Sequence, residues 1–189
     1  ITVTLDSSCT LTGTNTAHTG TITNGIATSN IGETTLKATC NDASGFAIYA
    51  IGYTGDTDGN NKLINSTLGS SADIATGTNT TGNSSWSMKL ATTSTPTPTY
   101  PITIDNSFNA YKEVPNEYTK VAHRDSSTDI GEDAEGATLT TTYATYISAG
   151  QVGDTYNGKV ICWNIHRLPL DIYIIFIIIF CNSIVTLEV

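Results

Sequence analysis

Charge is what this 189-residue chain has least of: 13% of its residues are Asp, Glu, Lys or Arg, against a usual share of about 25%. Eight Lys and Arg face 17 Asp and Glu, a net charge of −9. No basic stripe exists to neutralise phosphates, which argues against nucleic-acid binding. There is one Met, and it is not at the start. No charged and then apolar leader opens the chain, and Ile1 to Leu5 alternates like a strand, so a mature or truncated chain is expected. No segment carries a convincing 3.6-residue apolar period.

Catalytic constellations are also missing. His18, His123 and His166 lie in separate segments, without HExxH spacing. No Gly-x-Ser-x-Gly elbow occurs, and the four scattered cysteines compose neither a zinc quartet nor a Cys–His dyad. His123-Arg124-Asp125-Ser126 reads as an exposed loop, because sequence neighbours at a strand end point apart. Glu132, Asp133 and Glu135 could pair as acid and base on a sugar, but no stacking tryptophans accompany them, and a solvated loop over 124–136 accounts for them. The chain reads as a non-enzyme without a cofactor.

Threonine fills the space that charge leaves, at nearly a fifth of the residues. A β-branched side chain loses rotamer freedom in a helix but suits the solvated face of a sheet. Alternation and turn punctuation predict strands over 1–5, 20–23, 34–40, 46–53, 85–90, 100–104, 118–123, 137–147 and 155–163. Residues 46–53 are apolar on both faces, which marks a central strand. In 137–147, Leu139, Thr141, Tyr143, Thr145 and Ile147 share one face. Tyr49, Tyr143, Tyr146 and Tyr156 are expected in the core. The connections after 53 and over 77–85 are Gly, Asn, Ser and Thr, with no apolar groups to offset ordering, and belong on the surface. Thr92 to Pro101, with its prolines, is expected to be extended, at an edge or a crossing between sheets. Many short strands at this spacing predict an all-β sandwich with Greek-key connections.

Cys9 behind a first strand, then Thr35 to Cys40 running through Asn41-Asp42-Ala43-Ser44-Gly45 into Phe46 to Ile51, resembles the spore coat U proteins and chaperone–usher pilins. Ala144 to Gln151 followed by Gly153 to Val160 is similar to the closing strand pair of that family, with Trp86 to Leu90 as a strand between. The resemblance covers about 1–160. It implies an immunoglobulin-like sandwich of pilin or adhesin type, and a secreted or cell-surface structural or adhesive subunit. It implies that Cys9 and Cys40 form a disulfide. It also implies protein subunits, or a host surface or glycan, as partners, reached through strand edges and loops.

After Val160 the composition changes. Residues 1–160 read as the sandwich domain and 161–189 as a hydrophobic tail that includes the apolar run Ile172 to Cys181. Three readings stand: buried strands, a membrane anchor over 168–187, or an aberrant end. An anchor needs about 18 apolar residues, and Asp171, Asn182 and Ser183 interrupt that window. Membrane contact is expected only if the anchor is native.

Two small-ligand readings accompany the structural one. Asp56, Asp58 and Asn60 resemble part of a calcium loop, although an Asp-Gly turn needs no metal. A carbohydrate-binding, lectin-like module is the alternative function, with Tyr100, Tyr111 and Tyr118 as the residues best placed to stack on a sugar. Asn65, Asn79 and Asn83 head Asn-x-Ser/Thr sites expected in surface loops.

Overall fold

A computed structural model describes residues 9–17, 22, 25, 27–40, 45–65, 67–78, 82–93, 102–125, 137–166 and 183–188. In chain order the strands are β1 (Cys9–Ala17), β2 (Ala27–Cys40), β3 (Phe46–Gly52), β4 (Ile64–Asn65), β5 (Ala75–Thr76), β6 (Ser85–Thr93), β7 (Thr103–Ile104), β8 (Thr119–Arg124), β9 (Ala137–Tyr146), β10 (Thr155–His166) and β11 (Ser183–Glu188). The described residues contain no α-helix, and one 3-10 turn at Thr54–Asp56. They form two sheets. The first runs β1-β2-β9-β6-β5 and the second β11-β10-β3-β8-β7, with β4 also paired to β10. All pairings are antiparallel except β5 with β6.

This is an immunoglobulin-like Greek-key sandwich. The order β1-β2-β9-β6 follows the A-B-E-D sheet of that fold, and β11-β10-β3 follows G-F-C. The departure is the excursion between the C and E positions, where the chain makes β6 in the first sheet before returning to the second for β7 and β8.

Alternation decides which side chains meet between the sheets. From β3 come Phe46, Ile48 and Ala50; from β9, Leu139, Thr141, Tyr143 and Thr145; from β10, Tyr156, Val160 and Cys162, all buried. Trp86 is the centrepiece. It is fully buried, stacks on Tyr143 at 6.0 Å between ring centroids, and donates its indole N–H to the Asn61 carbonyl at 2.8 Å. Opposite it β10 carries Gly158, where an added Cβ would collide with Leu63 and stand 3.2 Å from the Trp86 ring. The strand is thinned there so that Leu63 and the indole both fit.

β3 is central, as its two apolar faces predict, between β10 and β8. Its outer face buries Ile51 against Ile161, with Tyr49 and Tyr53 packed beside them. Tyr143 and Tyr156 reach the core, whereas Tyr49 and Tyr146 are half-buried, because the period of two turns them to the opposite face. β1 has no counterpart among the expected strands, since Leu11 is the single large apolar side chain in it; its pairing with β2 makes it a strand. The expected strands at 1–5 and 20–23 lie, apart from buried Ile22, outside the described residues. Arg124 corrects the loop expected over 124–136. It ends β8, is 3% exposed, and lays its guanidinium 5.2 Å from the Phe46 ring centroid. Residues 126–136, with Glu132, Asp133 and Glu135, lie outside the described residues.

Candidate functional site

The edge beside β10 is where the sequence changes character, and the strand does not stop there. β10 runs through Val160 to His166, pairing Val160 with Gly52 and His166 with Phe46 on β3. On its other side β11 pairs Thr155 with Glu188 through Val160 with Ser183. β11 also lies against β1 and β2 of the first sheet, so it stands at the seam between the sheets on that side. Residues 183–187 of the candidate anchor are therefore strand, and no helix of the described residues is long and apolar enough to cross a membrane. The apolar run 172–181 lies outside the described residues.

At the first sheet's edge beside the same seam, Cys9 and Cys40 are direct register partners of β1 and β2. Paired residues of antiparallel strands have Cα atoms about 4.5–5.5 Å apart, inside the roughly 4.4–6.8 Å that a disulfide spans.

The loop after β3 closes on itself through backbone bonds. Thr54 N–H donates to Asn60 O at 2.9 Å, Gly59 N–H to Gly52 O at 2.9 Å, and Asn60 N–H to Thr57 O at 3.2 Å. Two of the residues that resemble part of a calcium loop, Asp58 and Asn60, take part in hydrogen bonds. Asp58 accepts the Tyr118 hydroxyl at 2.8 Å, and the Asn60 side-chain oxygen accepts Lys62 N–H at 3.4 Å. Nothing is described for the Asp56 side chain. Among the described residues no three of His, Cys, Asp or Glu gather as a metal site.

Of the three candidate stacking tyrosines, Tyr118 is 52% exposed, and Tyr111 is half-buried with the Lys89 ammonium 4.8 Å from its ring centroid. Tyr100 lies outside the described residues. Tyr111 meets Lys89 of β6, and Tyr118 meets Asp58 in the loop after β3. Burial, then the hydrogen bond to Asp58, raises the Tyr118 phenol above its ordinary value of 10.0. The neutral, donating form is thus present below about pH 10, and the contact is lost as pH rises through the raised value.

His123 lies in β8, not in a loop. Its Nδ1 is 2.6 Å from Asp105 and its Nε2 3.5 Å from Asp125, and Lys120 reaches Asp105 at 3.4 Å. Asp105 opens a tight turn with Asn106 at φ 51° and Ser107 at φ 60°, closed by Phe108 N–H donating to Asp105 O at 3.0 Å. This cluster staples a left-handed turn to the sheet. His18 lies outside the described residues, as does the side chain of His166.

Asn65 overturns its expected place in a surface loop. It lies in β4, 3% exposed, its amide donating to Asp154 at 3.1 Å while its oxygen accepts Thr67 N–H at 2.9 Å and Leu68 N–H at 2.7 Å. The nitrogen a glycan would need is already bonded. Asn83 is exposed, and Asn79 lies outside the described residues. Asn65→Ala should cost about 2–4 kcal/mol in urea denaturation, because two backbone N–H groups lose their acceptor.

The Asp154 carboxylate is held below its ordinary 3.8 by the Thr155 N–H first, then by the Asn65 amide and the Thr67 hydroxyl, against some desolvation. A lowered carboxylate stabilises the fold above the unfolded value and loses that contribution as pH falls through the folded value. Asp154→Asn should therefore show a smaller drop in urea midpoint between pH 7 and pH 3 than the parent chain. An equal drop would place the acid sensitivity elsewhere.

No family model and no curated protein matches the sequence. Among solved structures the chain is similar to AggA, the major subunit of aggregative adherence fimbriae type I from Escherichia coli. The TM-score is 0.47 and the identity 9%, over 98% of this chain and 97% of that one.

Proposed function

We propose that the chain is a non-enzymatic, secreted or cell-surface structural or adhesive subunit that joins other protein subunits through its strand edges and loops. The observation that carries this reading is the β10 edge. A core strand of the second sheet, with Tyr156, Gly158 and Val160 buried inward, takes β11 as its outer neighbour at the seam with β1 and β2. A strand in that place supplies a row of backbone donors and acceptors and covers a core that would otherwise meet water. The 16 residues between His166 and Ser183 could extend to about 50 Å, long enough for β11 to seat on its own chain or on a neighbour's. In this reading 161–189 completes the sandwich begun by 1–160, and β11 is the joint through which copies associate.

Cross-linking tests the joint. Asn157 and Thr186 are register partners across β10 and β11. A chain carrying both Asn157→Cys and Thr186→Cys should oxidise within itself, which controls for the register. Mixing the two single variants under oxidation should give covalent dimers beyond those of the unsubstituted chain. Efficient closure in the double variant with no cross-linking between the singles, at any concentration, would refute assembly through this edge.

A further inference from the structure

Tyr118 is the sole aromatic among the large apolar side chains that the described residues expose, 52% open to solvent, yet its ring is not loose. Its hydroxyl donates to Asp58 at 2.8 Å, and Asp58 sits on the loop that bends back from β3. The two segments carrying this pair are locked together by hydrogen bonds. Gly52 N–H donates to Pro115 O at 2.7 Å, and the Asn61 amide donates to Val114 O at 2.6 Å. Gly59, at φ 79°, comes so close that an added Cβ would stand 2.6 Å from the Asn116 carbonyl oxygen. An exposed aromatic face is thus pinned at its hydroxyl end and seated on two mutually fixed segments.

Further polar groups lie on the same two segments. The Asp58 carboxylate has a second oxygen beyond the one accepting the Tyr118 hydroxyl. Asn116 and Glu117 precede the ring and are exposed. Tyr53 begins the same loop, and the Lys159 ammonium lies 4.8 Å from the Tyr53 ring centroid.

A fixed, exposed ring with the Asp58 carboxylate at its hydroxyl end, and with exposed Asn116 and Glu117 just before it in the chain, matches the amphipathic surface of a sugar. The apolar C–H face of a pyranose covers the ring, and its hydroxyls meet donors and acceptors at the rim. A protein-interface anchor is instead centred in an apolar, desolvated pocket, which the exposed polar neighbours of Tyr118 do not provide. From this geometry we infer that Tyr118, with Asp58 at its rim, is a binding site for a neutral saccharide. A site this shallow binds one sugar in the millimolar range, since a single monosaccharide has few atoms to contribute. Repetition along an assembly would raise that through avidity. The inference adds a ligand to the proposed subunit without depending on the β10 edge.

Saturation-transfer NMR on the full chain, with glucose, galactose, N-acetylglucosamine and lactose each at 10 mM or so, tests the site. At least one sugar should receive saturation at its ring protons. Tyr118→Ala should abolish it, Asp58→Ala should weaken it several-fold, and Tyr111→Ala should leave it unchanged. Thermal melts confirm that the variants fold, which the exposure of Tyr118 favours. No transfer to any of the four sugars, or equal transfer in Tyr118→Ala, overturns the site. A Tyr118→Ala chain that loses self-association while no sugar binds would make the ring a protein contact and overturn it too. The cross-linking at Asn157 and Thr186 is read separately, so either idea can fail alone.

Discussion

Trp86→Ala should remove about 3–5 kcal/mol of stability, the cost of emptying a large, fully buried aromatic site. For a chain of this length that corresponds to a midpoint about 6–20 °C lower in a thermal melt. The expected loss is large because three features meet at the indole: its stack on Tyr143 at 6.0 Å, its N–H bond to the Asn61 carbonyl at 2.8 Å, and the bare backbone of Gly158 opposite. Trp86→Phe separates them. It keeps most of the apolar volume but strips the Asn61 carbonyl of its donor, so a cost of about 1–3 kcal/mol is expected. If the alanine variant melted within a degree or two of the parent, Trp86 could not be the centre of the core. A domain stabilised by about 5–15 kcal/mol in total would survive this change narrowly. Urea denaturation at low temperature is therefore the preferred measurement for the alanine variant.

Reduction of the proposed Cys9–Cys40 bridge should lower stability by about 3.5–4 kcal/mol, the chain-entropy value for closing a loop of about 31 residues. The structure contributes the register, in which the two cysteines face each other across β1 and β2. β1 holds one large apolar side chain, Leu11, and has a single neighbour in its sheet, so little else fixes it. Melts with and without a thiol reductant, beside the Cys9→Ser/Cys40→Ser double variant, measure the effect. The reduced parent and the double variant should coincide below the oxidised parent. Coincidence of all three would show that no bridge contributes. Because β1 lies at the seam with β11, the reduced chain should also give more cross-linking between the Asn157→Cys and Thr186→Cys variants once reoxidised.

Much of the sandwich is legible in the chain because its central strands carry a period that no other structure uses. Leu139, Thr141, Tyr143, Thr145 and Ile147 recur every second residue, and all five are buried. β3 reads as central because it is apolar on both faces, and it is. β1, β4 and β5 were not legible. The first is mostly Thr, Gly and Asn, and the other two are residue pairs that become strands only because β10 and β6 lie beside them. Arg124 misleads in a different way. Its charge suggests a loop, but its guanidinium spreads over Phe46 at the end of a strand. For the candidate sites, Cys9, Cys40 and Tyr118 were visible as residue types. The Asp58 anchor of Tyr118 was not, since it joins positions 60 residues apart.

The sequence by itself determined the class of structure. Scarce charge, abundant threonine and period-two alternation leave a sheet as the way to bury the apolar residues. The tertiary structure decided the rest: which strands neighbour one another, that β10 passes through the compositional break at Val160, and that β11 stands at the seam. Alternation fixes only which face a residue takes. Which strand lies beside which, and which strand ends at an edge, depends on contacts between segments far apart in the chain, and no local pattern records them.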